Sequence, residues 1–214
     1  MAGLGFGPSK RDTYRHGDLH GALVRAGLEM AQEGGPEAVV LREATRRVGV
    51  APSAAYRHFA DRRALLDAVC SAAQAALAVA IEEELSGVPD DGDSADEARA
   101  RLRAVGTGYM RFAQEEPGLF RTAFSASENL QSAAVPERAG AGGLTPFQLL
   151  GAALDGLAEA GVIPEGRRPG AEFLAWSAVH GLSMLLIDGP LREFDEATKD
   201  AVGQRLIDMV ERGL

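Results

Sequence analysis

Tyr56, Arg57 and His58 stand side by side in the stretch VGVAPSAAYRHFADRRALL, residues 48–66. A phenol hydroxyl, a guanidinium and an imidazole all donate hydrogen bonds to phosphate oxygens. Such contacts fix register on a nucleic acid without reading its sequence. Just upstream, Pro52, Ser53 and Ala54 are small. A helix lying in a DNA major groove needs small or polar side chains where it meets the bases. The Ser53 hydroxyl can exchange hydrogen bonds with several base edges, and the Ala54 methyl can touch a thymine methyl. Neither names a base strongly. Phe59 is expected to face inward and tie this segment to its neighbours. The plainer alternative is an ordinary amphipathic helix end with a solvated arginine and histidine.

A second group of residues lies further along. Tyr109 and Phe112, then Phe120 and Phe124, then Trp176, His180 and Met184 include five of the chain's twelve Phe, Tyr and Trp side chains. Trp176 and His180 are four apart, so they share a helix face with Phe173 and Met184. Small-molecule pockets between helices are mainly apolar and aromatic, with a few polar groups that set orientation. Tyr109 and His180 are the candidates for those groups. The alternative is plain core, with His180 bonded to a carbonyl and Gly181 permitting close helix approach.

Other chemistry finds no support. His16 and His20 are four apart, but a zinc site needs at least three protein ligands and no third lies near. The acidic runs at 82–84 and 90–93 lack the calcium-loop spacing of an EF-hand. GFGPSK near the start follows no strand, so it is not a phosphate loop, and no GxSxG or HExxH occurs. No cofactor, metal site or enzymatic activity is expected. Cys70, the one cysteine, reads as a small buried apolar residue.

The elements that must position these residues are helices. Apolar residues recur at helical spacing over 18–33, and Gly34, Gly35 and Pro36 stop that run. A short helix over 41–48 ends at Gly49, suited to a left-handed cap. Pro52 suits the first turn of a third helix. Asp61 can cap a fourth, running to about residue 85. SGVPDDGDSAD is a break. Helices follow over 97–115 and 118–128. Residues 129–143 read as loop, and Thr145 with Pro146 opens a helix over 145–160. Two longer helices, 171–187 and 196–212, close the chain. No alternating β-branched run suggests a sheet. The fold expected is all-α with about nine helices: a three-helix helix-turn-helix head over 13–64 and a helical body for ligand binding and dimerisation over 65–214.

Two short helices joined by a tight glycine turn are a helix-turn-helix, whose second helix enters the major groove. Residues from about 16 to 69 resemble the DNA-binding domain of TetR-type transcriptional regulators, through GGPEAV, LREATRRVGV and APSAAYRHFADRRALLDAV. Departures occur at Ala51, where the family commonly has a capping serine, at Thr45, usually alanine, and at Ala55, often a larger apolar residue. AWSAVHGLSMLLIDG is similar to a TetR C-terminal subgroup with a W-x-x-x-H-G signature, here Trp176, His180 and Gly181. That resemblance implies a homodimer through the last two helices.

Charge agrees with a contact at one end. The formal net charge is −9, yet from Lys10 to Arg63 ten Lys/Arg face seven Asp/Glu, against twelve and twenty-four afterwards. A basic head on an acidic body fits nucleic acid held at the head. No uninterrupted apolar stretch of the ~20 residues needed to span a bilayer is evident, and the N-terminus does not read as a secretory signal. The expectation is a cytoplasmic, homodimeric regulator, a repressor, bound to a double-stranded operator and released by a small, largely apolar effector. DNA-facing candidates are Arg15, His16, Arg42, Ser53, Ala54, Tyr56, Arg57 and His58. Ligand-facing candidates are Tyr109, Phe112, Phe120, Phe124, Trp176, His180 and Met184. A ligand-independent DNA-binding factor, and a small-molecule-binding helical protein with a degenerate head, are the alternatives.

Overall fold

The computed structural model describes residues 18–89, 94–125 and 135–214. Among them are nine α-helices and no strand. The helices are α1 (Leu19–Gly34), α2 (Leu41–Val48), α3 (Pro52–Ala55), α4 (Arg62–Ser86), α5 (Ala95–Glu115), α6 (Pro117–Ala123), α7 (Pro146–Glu159), α8 (Ala171–Ile187) and α9 (Glu196–Gly213).

Side-chain caps set five of the nine described α-helix N-termini. Asp18, Asp61, Ser94 and Asp195 each accept a hydrogen bond from a backbone N–H in the first turn of the helix that follows. Each thereby satisfies one of the donors a helix N-terminus leaves open. Thr145 and Gln148 form a reciprocal capping box with Pro146 inside it. Gly49 closes α2 at φ 77°, a conformation that costs other residues a Cβ clash.

The helices α1, α2 and α3 pack on one another, and α1 packs on α4. Leu23, Met30, Val39, Ala55, Phe59 and Leu65 fill their shared interior. Phe59 faces inward as expected, with 3% of its surface exposed. In the body, α5 is the central element, touching α4, α6, α7, α8 and α9. Ion pairs tie it to α9: Arg103 reaches Asp208 and Glu211, and Arg99 reaches Glu211.

Two expectations change. The helix read over 118–128 is α6, which begins at Pro117 and ends at Ala123. Its last carbonyl is taken by α4: Gln74 Nε2 donates to the Ala123 oxygen at 2.6 Å and Cys70 Sγ lies 3.0 Å from it. Buried backbone acceptors must find partners, and here the partners come from another helix. Second, α4 is long and apolar enough to cross a membrane by length and composition alone. It is instead a core helix, with Leu65, Val69, Ala73, Leu77 and Ile81 buried against α1, α5 and α6.

Candidate nucleic-acid interface and body site

The turn from α2 to α3 is set by Gly49, whose N–H and that of Val50 return to the carbonyl of Thr45. The Thr45 hydroxyl in turn donates to the Arg42 carbonyl at 2.7 Å. Thr45 is thus buried with its polar group satisfied, which explains how a threonine occupies this interior position. The helix α3 is one turn long. Its N-cap, Ala51, makes no side-chain hydrogen bond, as its chemistry dictates. Pro52 at the first position supplies a fixed φ instead.

This geometry puts Ser53, Tyr56, Arg57 and His58 on the outside and leaves Ala54 half-buried. Tyr56 keeps 53% of its surface exposed. Ser53, Tyr56 and Arg57 have no side-chain partner among the described residues, and His58 has only a ring contact with His20. Arg42 is also exposed and unpaired within the described set. The neighbouring basic residues behave differently. Arg47 is forked onto Glu33 at 2.6 and 2.8 Å and reaches Glu43, while Arg46 pairs with Glu43 at 2.7 Å. Hydrogen bonds from both arginines hold the Glu43 carboxyl down to about 2. Two of the head's arginines are therefore paired internally. Arg42 and Arg57 are exposed and have no acidic partner among the described residues. Arg15 and His16 lie outside the described residues. His20, a metal candidate by spacing alone, lies over Phe59 with ring centroids 4.7 Å apart, and no metal-binding cluster occurs among the described residues.

In the body, α5, α6 and α8 bring Tyr109, Phe120, Phe124, Trp176 and His180 into one cluster. Phe120 and Phe124 lie 5.3 Å apart, Tyr109 meets Phe120 edge-on at 5.4 Å, and His180 meets Phe124 edge-on at 4.9 Å. Trp176 Nε1 donates to the Tyr109 oxygen at 3.1 Å, and that hydroxyl lies 2.8 Å from His180 Nδ1. His180 is thus bonded to a hydroxyl rather than a carbonyl. Burial pushes the Tyr109 hydroxyl up and His180 down from their ordinary values. Phe112 is buried in the core but makes no ring contact with the cluster among the described residues. Met184 is half-buried, one turn beyond His180 on α8. Phe173 is largely exposed and touches Phe147.

Sequence reasoning missed Phe147, whose ring lies 6.0 Å from that of Trp176. The signal was available in outline: an aromatic residue in the first turn of α7, which packs on α8.

The small helix α6 connects the two regions. A side chain on Gly118 would run into the Ala31 carbonyl oxygen and lie 2.7 Å from that of Gln32, so α6 begins pressed against the last turn of α1. Gln32 donates to Glu116 at 3.1 Å, and Arg121 pairs with Asp188 beyond α8 at 2.7 Å.

Comparison with known proteins agrees with both regions. A family profile described as bacterial regulatory proteins, tetR family, matches residues 23–69, and one described as tetracyclin repressor-like, C-terminal domain, matches residues 102–210. No curated protein sequence matches. Among solved structures, a protein of unknown function from a Rhodococcus species is 25% identical, with 95% of this chain and 98% of that chain covered and a TM-score of 0.73. A TetR transcriptional regulator from the same organism is 20% identical over 89% of this chain and 94% of that one, with a TM-score of 0.54. A TetR family transcriptional regulator from Thermus thermophilus is 22% identical over 90% of this chain and 98% of that one, with a TM-score of 0.53.

Proposed function

The chain belongs to the TetR family of DNA-binding transcriptional regulators, and from that premise we propose that it is a homodimeric, non-enzymatic repressor released from its operator by a small, largely apolar effector. The observation that carries the DNA contact is the exposed, unpartnered group at the α3 end: Ser53, Tyr56, Arg57 and His58, joined by Arg42, on a surface where Arg46 and Arg47 are already paired. In this reading the head spans 13–64, the body 65–214, and Arg15 and His16 add phosphate contacts beside the first helix. The protein works where the DNA is, in the cytoplasm.

One α3 supplies little discrimination, because Ser53 and Ala54 read bases weakly. A two-fold dimer presents two such segments to neighbouring grooves. The outer surfaces of α8 and α9 suit that dimer. Leu174, Ser177, Gly181 and Leu185 form an exposed stripe along α8, with Leu174 66% exposed. A side chain on Gly181 would meet nothing in the protomer, so the protomer itself makes no use of its small size. A groove of about 670 Å³ beside the stripe is lined by Leu182, Val202, Leu206 and Met209 among others.

Effector binding among Tyr109, Phe112, Phe120, Phe124, Trp176, His180 and Met184 would act through α6, which carries Phe120 and leads into Phe124. Displacing α6 disturbs α1, within the head, at Gly118 and α4, which packs on α1, at Gln74. A ligand that favours one head spacing shifts the population of DNA-competent dimers.

The test is binding to a duplex taken from beside the protein's own gene, followed by gel shift across a salt series. Affinity is expected to fall with log salt at a slope of about −0.9 per phosphate contacted. Tyr56→Phe combined with His58→Ala is expected to weaken binding with the fold intact. Unchanged affinity in that variant would sink the assignment of these contacts.

A further inference from the structure

The polar groups of the body cluster determine one another. An indole N–H only donates, so Trp176 fixes the Tyr109 oxygen as an acceptor. Tyr109 is 5% exposed, and its own proton has one acceptor within reach, His180 Nδ1. The reverse arrangement, with Nδ1 donating, would leave a buried hydroxyl proton without a partner, which is costly. The relay therefore runs from Trp176 to Tyr109 to His180, and the neutral imidazole carries its proton on Nε2. That nitrogen has no hydrogen-bond partner among the described residues. His180 is half-buried, and its Nε2 is not among the sealed polar atoms lacking a partner.

The surroundings of this donor are aromatic. Phe124, Phe147 and Trp176 are themselves only half-buried, and Trp176 lies 6.0 Å from both phenylalanine rings. The hydrogen bonds of the cluster run only among its own uncharged groups, so no counter-charge for an ionised ligand is bonded into it. Burial pushes the imidazole down from its ordinary value, which favours the neutral form.

We propose that this half-open aromatic cup binds a neutral, flat aromatic compound bearing a carbonyl-type oxygen, which accepts the hydrogen bond of His180 Nε2–H while its ring lies among Phe124, Phe147 and Trp176. The inference rests on the reading that the body holds an effector, and narrows that effector to a class: aromatic ketones and related neutral acceptors, rather than hydrocarbons or carboxylates. His180 is the residue that selects for the acceptor. Tyr109 and Trp176 are positioning residues that hold its tautomer.

The chain has a single tryptophan, Trp176, so its fluorescence reports on the cup alone. Three probes of nearly equal size separate the terms: 2-acetylnaphthalene (neutral acceptor), 2-isopropylnaphthalene (no acceptor) and 2-naphthoate (charged). Titration of the full chain is expected to give saturable changes, with the ketone bound about five- to tenfold tighter than the hydrocarbon, the worth of one net hydrogen bond, and the carboxylate weakest. His180→Leu is expected to erase the preference for the ketone. His180→Gln, which keeps an acceptor for Tyr109 and an outward donor, is expected to retain part of it, and guards against a leucine variant that fails to fold. Equal affinity for ketone and hydrocarbon, tightest binding of the carboxylate, or no saturable response of Trp176 to any probe would each overturn the proposal. Duplex binding measured on the same protein separates the two levels. Salt-dependent DNA binding with an unresponsive Trp176 removes only the ligand class. Loss of DNA binding with a selective cup removes the regulator mechanism instead.

Discussion

The α3 end of the head and the aromatic cluster of the body treat polar groups in opposite ways. Around α3, Ser53, Tyr56 and Arg57 are exposed and make no side-chain hydrogen bond or ion pair among the described residues. In the cluster, Trp176, Tyr109 and His180 bond to one another in a chain, leaving a single nitrogen over. Under the proposed function, the contrast follows from what each region meets. A surface that grips a large polyanion loses nothing by leaving its donors in water, since phosphate replaces water one for one. A half-dry interior cannot leave donors unmet without a penalty of about 1–3 kcal/mol each. A donor left over in the interior therefore carries more information than one left over at the surface.

Paired substitutions test that contrast, and the largest effect lies beneath α3. Phe59→Ala removes a ring that is 3% exposed, and is expected to cost about 3–5 kcal/mol. Three residues away, Tyr56→Ala removes a ring that is 53% exposed and is expected to change stability by no more than about 0.5 kcal/mol while weakening duplex binding. Urea denaturation and gel shift on both variants measure this. A Tyr56→Ala variant as unstable as Phe59→Ala would mean that Tyr56 belongs to the packing of the head rather than to its outer contacts.

The next effect is in the body. Tyr109→Phe deletes the hydroxyl that joins Trp176 to His180 and leaves Trp176 Nε1–H and His180 Nδ1 unmatched. It is expected to cost about 1–3 kcal/mol and to shift Trp176 emission. Tyr56→Phe, the same chemical change at the head, is expected to leave stability unaltered. Equal and negligible costs at the two sites would show that the relay is not formed in solution.

What could be read from the sequence divides along the same line between local and distant partners. Gly49, Asp61 and Thr145 were legible as caps because a cap bonds to residues two to five positions away. The end of α6 was not, because the groups that take the Ala123 carbonyl, Gln74 and Cys70, lie far earlier in the chain. Pairing of Arg47 with Glu33 was hidden for the same reason, and with it the fact that this arginine is not available as a free surface cation. Tyr109, Phe120, Phe124, Trp176 and His180 were legible as aromatic residues on separate helices. That they form one cluster, that Phe147 joins it and that Phe112 does not are matters of helix rotation, which spacing within one helix does not determine.

A smaller change adds a partner rather than removing one. Ala51 leaves the first turn of α3 uncapped. Ala51→Ser supplies a hydroxyl for those N–H groups and is expected to stabilise the head by about 1 kcal/mol. Duplex binding is expected to tighten slightly, since a firmer α3 loses less freedom on docking. Differential scanning calorimetry reads the first effect and gel shift the second. Stabilisation together with weakened binding would mean that Ala51 is itself at the DNA surface.

The mildest effect is on acid stability, where the two regions are expected to respond in different pH windows. Glu43 is held down to about 2 by its hydrogen bonds to Arg46 and Arg47. A carboxyl lowered in the folded state contributes stability above its unfolded value near 4.5 and loses it as pH falls from there towards about 2. The site is open to solvent, so screening keeps this contribution small. His180 is lowered by burial. The unfolded chain then takes up a proton first, beginning near 6.5, so stability is complete above that value and declines as pH falls through it. Urea midpoints measured at about pH 7.5, 5.5 and 3, which bracket these windows, are expected to show two separate declines. His180→Gln should flatten only the upper one, reported by Trp176 emission, and Glu43→Gln only the lower one, reported by helix content. If Glu43→Gln flattened the upper decline, the acid response could not be divided between head and body, and the neutral relay around His180 would lose its support in solution.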